Sequence, residues 1–445
     1  MSMNTPICDF VRRYASSDAL RAHMPGHKGR GSLGVEALDI TEIYGADSLY
    51  EASGIIAESE ANASALFGCP TWYSTEGSSQ CIRAMVHLAL LHAKKQGKRP
   101  LLLAGRNAHK TFLSAAALLD AQVEWLLPEQ NGNYLSCPIT AEALQRKLEE
   151  TNASAVYVTC PDYLGNTLDL AALAQVCHRH DALLLVDNAH GAYLKFLPQS
   201  RHPMDLGADL CCDSAHKTLP VLTGGAYLHL SAALAAEMDS QVKNALALFG
   251  STSPSYLILQ SLDAANADLA NGYAEKLCRF TNKMRLAKER LTEQGFVLTG
   301  DEELKLTILT KPYGYEGTAF AARLRESGIE CEFADPDHVV FMLTPENEGE
   351  LERFVQTILQ ISRQAPISAA PPELHLPERV LSIRAATLAA QEVIPAEESL
   401  GRILAAATVL CPPAVSIAVC GERLDEKTLQ AFCYYGIDTC TVITE

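Results

Sequence analysis

Two charged side chains of opposite sign follow short apolar runs, and together they point to one kind of chemistry. The run at 210–212 leads through Asp213 into the small polar sequence S-A-H-K, which carries Lys217. Upstream, the apolar run 183–186 breaks at Asp187. A lysine amine can form a Schiff base with an aldehyde, and an aspartate can keep a ring nitrogen protonated. Lys217 and Asp187 therefore indicate a pyridoxal phosphate site.

The pattern around these residues predicts a sheet that brings them together. Apolar runs at 101–104, 123–127, 155–159, 183–186 and 225–230 alternate with helical patterns. That alternation predicts repeated βαβ units and a mostly parallel sheet covered on both faces. Ligands of such sheets bind at the carboxyl ends of the strands, which is where Asp187 and Lys217 are expected.

A third motif has the composition of a phosphate-binding turn. Gly77, Ser78 and Ser79 precede a stretch whose apolar residues fall on one helical face. The N–H groups at the start of a helix favour an anion, and the two hydroxyls can add hydrogen bonds. An ordinary helix N-cap is the alternative interpretation of the same residues.

A histidine follows another predicted strand. His109 lies within 106–111, where an imidazole can stack on a flat cofactor ring. A single histidine at such a position more often has a structural role, so His109 gains weight only in combination with the other motifs.

Four motifs in this order resemble the ornithine/lysine/arginine decarboxylases, a family of fold type I pyridoxal phosphate enzymes. They are H-M-P-G-H-K-G-R at 23–30, R-N-A-H-K at 106–110, V-D-N-A-H-G-A at 186–192 and S-A-H-K-T-L-P at 214–220. The resemblance implies an α/β fold in which a transferase-like large domain with a mostly parallel sheet is joined to a smaller α/β domain and a small C-terminal domain. It also implies decarboxylation of arginine, lysine or ornithine to an amine and carbon dioxide, with pyridoxal 5'-phosphate as cofactor.

The resemblance assigns roles residue by residue. Lys217 would carry the Schiff base, Asp187 would pair with the pyridine nitrogen and His109 would stack on the ring. Gly77, Ser78, Ser79 and Ser214 would hold the phosphate, and His190 and His216 would lie beside the cofactor. The catalytic residues are then Lys217, His216 and Asp187, with His216 or Lys217 as the acid that reprotonates the α-carbon.

The resemblance and the composition also predict the domain boundaries. We expect an N-terminal arm at 1–50, a cofactor-binding large domain at 51–290, a small α/β domain at 291–363, a proline-rich linker at 364–377 and a C-terminal decarboxylase domain at 378–445. The family places its active sites between subunits, so we expect a homodimer or a larger homo-oligomer, and the loop 249–256 is expected to reach the partner. Because the first motif begins at residue 23, the chain resembles the short form of the family, and decamers are not expected.

Composition excludes several other classes of function. The 445 residues carry a formal net charge of −17, which argues against nucleic acid or an anionic membrane surface as partner. No apolar run reaches the length of a membrane span or a signal peptide. The 14 cysteines include no C-x-x-C pair, so no metal site is expected, and scattered thiols fit the cytoplasm.

Two departures from the family pattern affect the expected activity. Asn188 stands where the family usually has glutamate, and C-P-P-A-V-S-I-A-V-C-G-E at 411–422 replaces a segment richer in glycine and proline. Substrate choice or turnover is therefore expected to differ. Asp47, Glu51 and Glu422 are the candidate partners of a basic substrate side chain, and the sequence does not choose among them.

Other reactions remain open on the same scaffold. Transamination or aldol-type cleavage would share the lysine and the sheet, and Arg323 or Arg325 could bind the α-carboxylate of a transaminase substrate. A non-catalytic cofactor-binding protein is the alternative from a different class. The amine product could serve polyamine synthesis or acid consumption, and polyamine synthesis is the expected use.

Overall fold

The computed structural model of the chain describes residues 3–128, 133–409 and 414–444. These residues divide into two compact units. The first unit comprises Met1–Arg99, Ser154–Val156 and Leu170–Lys276, and the second comprises Pro100–Ala153, Tyr157–Asp169 and Leu277–Glu445.

Helices and strands alternate through the first part of the chain. In order they are α1 (Pro6–Ala15), α2 (Ile55–Phe67), β1 (Thr71–Ser74), α3 (Gly77–Lys95), β2 (Leu101–Gly105), α4 (Lys110–Leu119), β3 (Gln122–Leu126), α5 (Ala141–Thr151), β4 (Ala155–Thr159), α6 (Leu170–Arg179), β5 (Leu183–Asp187), β6 (Leu210–Asp213), α7 (Ala215–Thr218), β7 (Ala226–Leu230), α8 (Ala232–Ala247) and α9 (Tyr256–Ala270).

The remaining elements are shorter on average. They are α10 (Tyr273–Glu293), β8 (Val297–Thr299), β9 (Lys305–Leu309), α11 (Gly317–Glu326), β10 (Phe333–Ala334), β11 (His338–Met342), α12 (Leu351–Leu359), α13 (Ile383–Thr387), β12 (Gln391–Pro395), β13 (Thr408–Val409), β14 (Ser416–Ala418), α14 (Glu426–Tyr434) and β15 (Thr439–Ile443). Single 3₁₀ turns lie at Leu49–Glu51, Ala192–Phe196, Pro203–Leu206, Lys311–Tyr313, Pro345–Asn347 and Ala396–Glu398.

Seven strands form the main sheet in the order β1-β7-β6-β5-β4-β2-β3. β2 runs parallel to β3 and β5 parallel to β6, which confirms the predicted α/β fold with a mostly parallel sheet. Every residue of β5 is buried, as its uninterrupted apolar run predicts for a strand covered on both faces. β7 departs from the parallel pattern, because it pairs antiparallel with both β1 and β6.

The five predicted strands of this sheet agree with β2, β3, β4, β5 and β7 to within one residue at each end. β1 was not predicted, since its four residues T-W-Y-S give neither an apolar run nor a clear alternation. On α3, the predicted apolar face is buried, including Ile82, Met85 and Val86. The sequence from Ser255 to about residue 295 predicts a long helical stretch. The structure has two helices there, which are separated by Asn271 and by Gly272 with its positive φ of 85°.

The second unit contains a four-stranded antiparallel sheet in the order β10-β11-β9-β8. The sequence patterns at 305–309, 329–333 and 339–343 each predict a strand. The first is confirmed as β9, and the third is shifted by one residue in β11. The second is wrong for most of its length, because only Phe333–Ala334 pairs with β11. Residues 362–378 form neither helix nor strand. Among the described residues, no helix combines the length and the apolar character needed to span a membrane.

Candidate active site

Lys217 lies in the one-turn helix α7, immediately after β6. Ser214 ends the strand region, and its carbonyl oxygen accepts from the Lys217 backbone N–H at 3.0 Å. The ε-amine of Lys217 is 3.1 Å from Nε2 of His190, and the lysine is partly buried. A lysine amine close to an imidazole can exchange its proton, so the position suits a nucleophilic amine.

Asp187 ends the neighbouring strand β5. It is only 2% exposed, and Oδ1 accepts from the Ala189 backbone N–H at 3.2 Å and more weakly from the Cys212 thiol at 3.7 Å. β5 and β6 are adjacent and parallel, with Asp187 opposite Cys212 in the register. The two strand ends identified from sequence are thus neighbours at one edge of the sheet.

The turn before α3 contacts the segment that carries Lys217, and its backbone conformation suits an anion. Gly77 has a positive φ of 69°, and its N–H donates to Gly224 O at 2.7 Å. A Cβ at residue 77 would meet only Cε1 of His216 at 3.9 Å, so the space in front of the turn is open. The Ser214 hydroxyl donates to Ser78 Oγ at 2.7 Å. This bond joins the start of α3 to the lysine segment.

Helix α3 is long enough to act as an anion-binding element. It has 19 residues, and no side chain caps its N-terminus. The N–H groups of its first turn, which includes Ser78 and Ser79, therefore face a position that favours negative charge.

His216 precedes the lysine with its ring fixed by a backbone group. Its Nδ1 lies 3.0 Å from Gly225 O and must donate there, because a carbonyl oxygen only accepts. Burial, reinforced by the charge of Lys217, lowers the pKa of His216 despite the hydrogen bond to Gly225. At neutral pH the ring therefore carries a single proton, on Nδ1.

His109 belongs to the second unit, where it begins α4. Its Nδ1 accepts from the Thr111 backbone N–H at 3.1 Å, which fixes the ring as an N-cap. The neighbouring Lys110 N–H donates to Ala414 O at 2.9 Å, and His109 forms a β-bridge with Val415.

Six of the predicted site residues lie in the first unit and are joined by direct contacts or by adjacency in the chain. They are Gly77, Ser78, His190, Ser214, His216 and Lys217.

Two of the three acidic candidates for substrate binding are occupied by structural partners. The Asp47 carboxylate accepts from the backbone N–H groups of Ser53, Gly54 and Ile56 at 2.8 to 3.0 Å. Burial alone would raise the pKa of Asp47, but these hydrogen bonds outweigh it and hold the pKa below its ordinary value. Asp47 thereby caps α2.

Glu422 is bound to an arginine inside the second unit. Arg106 Nη2 lies 3.1 Å from Glu422 Oε2, and the two side chains are 2% and 3% exposed. The same carboxylate accepts from the Val419 N–H at 2.7 Å. Its charge is already balanced, whereas Glu51, in the 3₁₀ turn Leu49–Glu51, is exposed.

The arginines considered for a transaminase are also engaged. Arg323 lies over the Tyr315 ring at 5.2 Å, and Arg325 forms an exposed ion pair with Glu330 at 3.1 Å. Both lie on α11. Both guanidinium groups therefore already have partners within the protein.

The loop 249–256 contacts the phosphate turn of its own chain. The Ser251 N–H donates to Glu76 Oε1 at 3.2 Å. A Cβ at residue 250 would lie 1.9 Å from the Tyr50 hydroxyl and 2.2 Å from the Gln80 amide nitrogen, so a larger residue would require these side chains to move. The contacts of this loop with Glu76 and Tyr50 were not predicted from the sequence.

Both departures from the family pattern have structural counterparts. The Asn188 amide donates to Asp213 Oδ1 at 2.7 Å in the interior, a contact that sequence analysis missed. Cys411, Pro412 and Pro413 lie outside the described residues. Ala414, which stands where the family motif has glycine, keeps a positive φ of 58°. Residue 414 therefore has a left-handed backbone although it is alanine and not glycine, the residue that favours this conformation.

Comparisons with known proteins agree with this geometry. The family model "Orn/Lys/Arg decarboxylase, major domain" matches residues 5–294. An arginine decarboxylase of Bacillus subtilis (strain 168) is 30% identical over 464 residues, covering 96% of this chain and 92% of that protein. An arginine decarboxylase of Halalkalibacterium halodurans is 29% identical with the same coverage.

Solved structures share the fold. The lysine decarboxylase LdcF of Francisella novicida superposes with a TM-score of 0.80 at 18% identity, covering 98% of this chain and 79% of that one. At that identity the likeness shows the fold alone. The family match over most of the chain and the 30% identity along its length show that this chain is a member of the Orn/Lys/Arg decarboxylase family.

Proposed function

We propose that this chain is a pyridoxal phosphate-dependent decarboxylase with arginine as its substrate. The observation that carries the proposal is the set of contacts at the ends of β5 and β6, where Lys217 lies beside His190 and Ser214 joins the lysine segment to the start of α3. Arginine is preferred over lysine and ornithine because the full-length relatives at 28% to 30% identity include several named arginine decarboxylases.

The residues present fit the cofactor. A phosphate needs the N-terminus of a helix with hydroxyl donors, which Gly77, Ser78 and Ser214 supply. The pyridine nitrogen needs a buried carboxylate, which Asp187 supplies. We further propose that Ser79 adds a phosphate contact and that His109 stacks on the ring, on the basis of their motif positions.

When bound, pyridoxal phosphate supplies the electron sink for the pair released as the α-carboxylate leaves. The chain has to hold the ring plane and to move protons. His190 Nε2, 3.1 Å from Lys217 Nζ, can take a proton from the ammonium and so leave a nucleophilic amine. The hydroxyls at the start of α3 fix the phosphate and hence the orientation of the ring.

We propose Lys217 rather than His216 as the acid that reprotonates the α-carbon, and the contacts of His216 support this choice. The neutral His216 ring has one proton, and that proton is bound to Gly225 O. Its other nitrogen can accept a proton but has none to give. Lys217, in contrast, can be recharged by His190. We therefore assign His216 to hold its segment in place beside the cofactor.

We propose Glu51 as the group that binds the guanidinium of the substrate. The Asp47 carboxylate binds backbone N–H groups and the buried Glu422 carboxylate is paired with Arg106. Glu51 is exposed and follows Tyr50, whose hydroxyl accepts from Gln80 of α3 at 2.8 Å. Carboxylates bind guanidinium groups through paired hydrogen bonds, which suits arginine better than a lysine or ornithine ammonium.

We propose that the protein forms a homodimer with an active site completed at the subunit interface. Residues 16–48 contain no helix or strand, and they expose Leu20, Met24, Leu33 and Tyr44 by more than half of their surface. Large exposed apolar side chains grouped in one segment commonly mark a protein interface. A second copy of the chain is the occupant that the family relationship suggests.

We also propose a cytoplasmic location and the five-part division set out from the sequence. None of the described cysteines forms a disulfide, which suits a reducing compartment. The amine product would then be available to polyamine synthesis in the same compartment.

Product analysis tests the proposed reaction against its alternatives. Protein loaded with pyridoxal phosphate is incubated with arginine, and the products are separated by chromatography. We expect the decarboxylated amine in amounts that match arginine consumed, and a raised KM for arginine in Glu51→Gln. A keto acid in place of the amine would indicate transamination, and unchanged arginine with cofactor bound would indicate a non-catalytic protein.

A further inference from the structure

A buried polar cluster lies next to the strand ends that carry Asp187 and Lys217. We call it the Asp213 cluster, and it consists of Asn188, His202, Asp213 and His229. Asp213 is the last residue of β6 and is fully buried. Its Oδ2 accepts from His202 Nε2 at 3.0 Å and from His229 Nε2 at 3.1 Å, and its Oδ1 accepts from Asn188 Nδ2 at 2.7 Å.

The hydrogen bonds of His202 show which of its nitrogens carries a proton. His202 Nδ1 accepts from the Met204 backbone N–H at 3.4 Å, so it has no proton of its own. The proton of the neutral ring is then on Nε2, where it donates to Asp213. His202 therefore contributes a neutral donor.

His229 carries protons on both ring nitrogens. The Thr71 hydroxyl donates to Cys69 O at 3.0 Å, so Thr71 Oγ1 accepts from His229 Nδ1 at 2.9 Å. His229 Nε2 must also donate, because its partner is the Asp213 carboxylate. The ring is consequently an imidazolium, and the cluster contains one positive and one negative charge.

The electrostatics agree with this assignment. Burial alone would raise the pKa of Asp213, but the two histidines outweigh it and hold that pKa below its ordinary value. Burial alone would lower the pKa of His229, and the Asp213 carboxylate raises it above its ordinary value. The Phe67 ring packs on His229 at 4.6 Å between ring centroids. The ion pair is thus fully enclosed and balanced within the first unit.

A metal ion is the alternative occupant, because ligand atoms of His202, Cys211 and Asp213 lie within 4.8 Å of one another. Burial, reinforced by the charge of Asp213, raises the pKa of the Cys211 thiol well above its ordinary value. A protonated thiol is a poor metal ligand, and both nitrogens of His202 already have hydrogen-bond partners. The pattern therefore favours a hydrogen-bonded cluster over a metal centre.

We propose that Asp213 is a positioning residue that sets the spacing between Asp187 and Ser214 in the cofactor site. It binds Asn188, which follows Asp187 on β5, and it directly precedes Ser214, whose hydroxyl contacts Ser78 at 2.7 Å. The Asp213 side chain therefore adds a second link, beside the backbone pairing of β5 with β6, between the carboxylate for the pyridine nitrogen and the hydroxyl for the phosphate. The inference rests on the proposed function and adds a residue to it.

The isosteric substitution Asp213→Asn tests the proposal, because it keeps the volume and removes the charge. Cofactor-free protein is titrated with pyridoxal phosphate, and the visible circular dichroism of the bound cofactor reports its orientation. We expect the dissociation constant to rise at least tenfold and the dichroic band to fall by half or more. The swap Asn188→Asp with Asp213→Asn restores an amide–carboxylate pair, and we expect it to recover affinity to within about threefold of wild type.

Asp209→Asn is the matched control. Asp209 directly precedes β6 at its other end and forms a similar pair with His178 at 3.0 Å, away from the cofactor residues. The Asp209→Asn substitution should lower the melting temperature without changing the cofactor affinity or the dichroic band. If Asp213→Asn behaves like Asp209→Asn, the positioning role is overturned.

Two further results also decide the question. If Asp213→Asn does not fold, Asn188→Ala removes the amide that donates to Asp213, and we expect a dissociation constant raised at least threefold. An unchanged constant would overturn the proposal, as would a stoichiometric metal ion that is bound by wild type and lost from the variants. Wild-type protein that fails to bind pyridoxal phosphate would instead contradict the proposed function.

Discussion

The ε-amine of Lys217 lies 3.1 Å from Nε2 of His190, and the two residues come from consecutive strand ends of the main sheet. This contact gives the lysine a neighbour that can accept and return its proton. Protein-held acids and bases of this kind typically contribute a factor of about 100 or more to a rate.

His190→Gln should therefore lower kcat for the decarboxylation by about a hundredfold while the cofactor stays bound. Glutamine keeps a polar group near the amine but cannot carry a proton between states. Steady-state kinetics with the cofactor absorbance recorded in parallel would measure both effects. The exposed-residue variant His178→Gln is the control, and equal kcat values for the two variants would remove His190 from the mechanism.

Gly77→Ala should weaken cofactor binding beyond its effect on stability. Gly77 and Gly97 flank the two ends of α3 with φ values of 69° and 67°, and a Cβ at residue 97 would meet no atom within 4 Å. Alanine at either position should cost about 1 kcal/mol of folding free energy, because both backbones are left-handed. Only Gly77→Ala places a methyl group in the open space where the phosphate is expected.

The comparison of these two alanine variants isolates the phosphate site. Apparent melting temperatures of cofactor-free protein should fall alike. The dissociation constant of pyridoxal phosphate should rise in Gly77→Ala and stay at the wild-type value in Gly97→Ala. Equal affinities in both variants would place the phosphate elsewhere.

The half-buried His216 makes stability depend on pH in a defined direction. Its pKa in the folded protein is below the ordinary value of 6.5, because burial and the Lys217 charge disfavour the imidazolium. As pH falls below 6.5, the unfolded chain takes up a proton on His216 before the folded protein does. The free energy of unfolding is therefore unaffected by this residue above that pH and decreases as pH falls toward the lower pKa of the folded protein.

His216→Gln should remove this part of the acid sensitivity. We expect the fall in melting temperature between about pH 7.5 and about pH 5.5 to be smaller in the variant than in wild type. His178→Gln, which alters an exposed histidine paired with Asp209, is the control for a general effect of removing imidazole. A slope that is unchanged, or steeper, in His216→Gln would contradict the assignment.

Ala414→Gly should stabilise the protein. Ala414 has a φ of 58°, which costs a residue with a Cβ about 1 kcal/mol relative to glycine. Ala322→Gly, at an exposed position within α11, should instead lower the free energy of unfolding by about the same amount. Thermal unfolding of the two variants measures both changes, and a destabilised Ala414→Gly would mean that the strain is absent.

Much of the site could be predicted because each residue follows an apolar run that ends abruptly. Asp187 ends β5 and Lys217 lies in α7 just after β6, and the order of a parallel sheet places such strand ends together. Gly77 could be singled out because a glycine and two serines before a helical pattern have the composition of a phosphate-binding turn. The antiparallel direction of β7 could not be predicted, since a buried apolar run has the same pattern in either direction.

Contacts between segments that are distant in the sequence could not be predicted from it. Asp213 looked like part of a polar turn, and only the fold brings His202 and His229 to its carboxylate. Glu422 looked like a substrate ligand until the structure placed Arg106 against it. The role of such a side chain depends on the residues that it contacts, and the local sequence pattern contains no information about those residues.

Release of carbon dioxide from carboxyl-labelled arginine tests the central claim most directly. Protein loaded with pyridoxal phosphate is given arginine, lysine or ornithine, beside a Lys217→Ala control. The account predicts labelled gas from arginine at the highest rate and none in the control. Cofactor-loaded protein that releases no gas from any of the three, or a control that releases it as fast as wild type, would contradict the account.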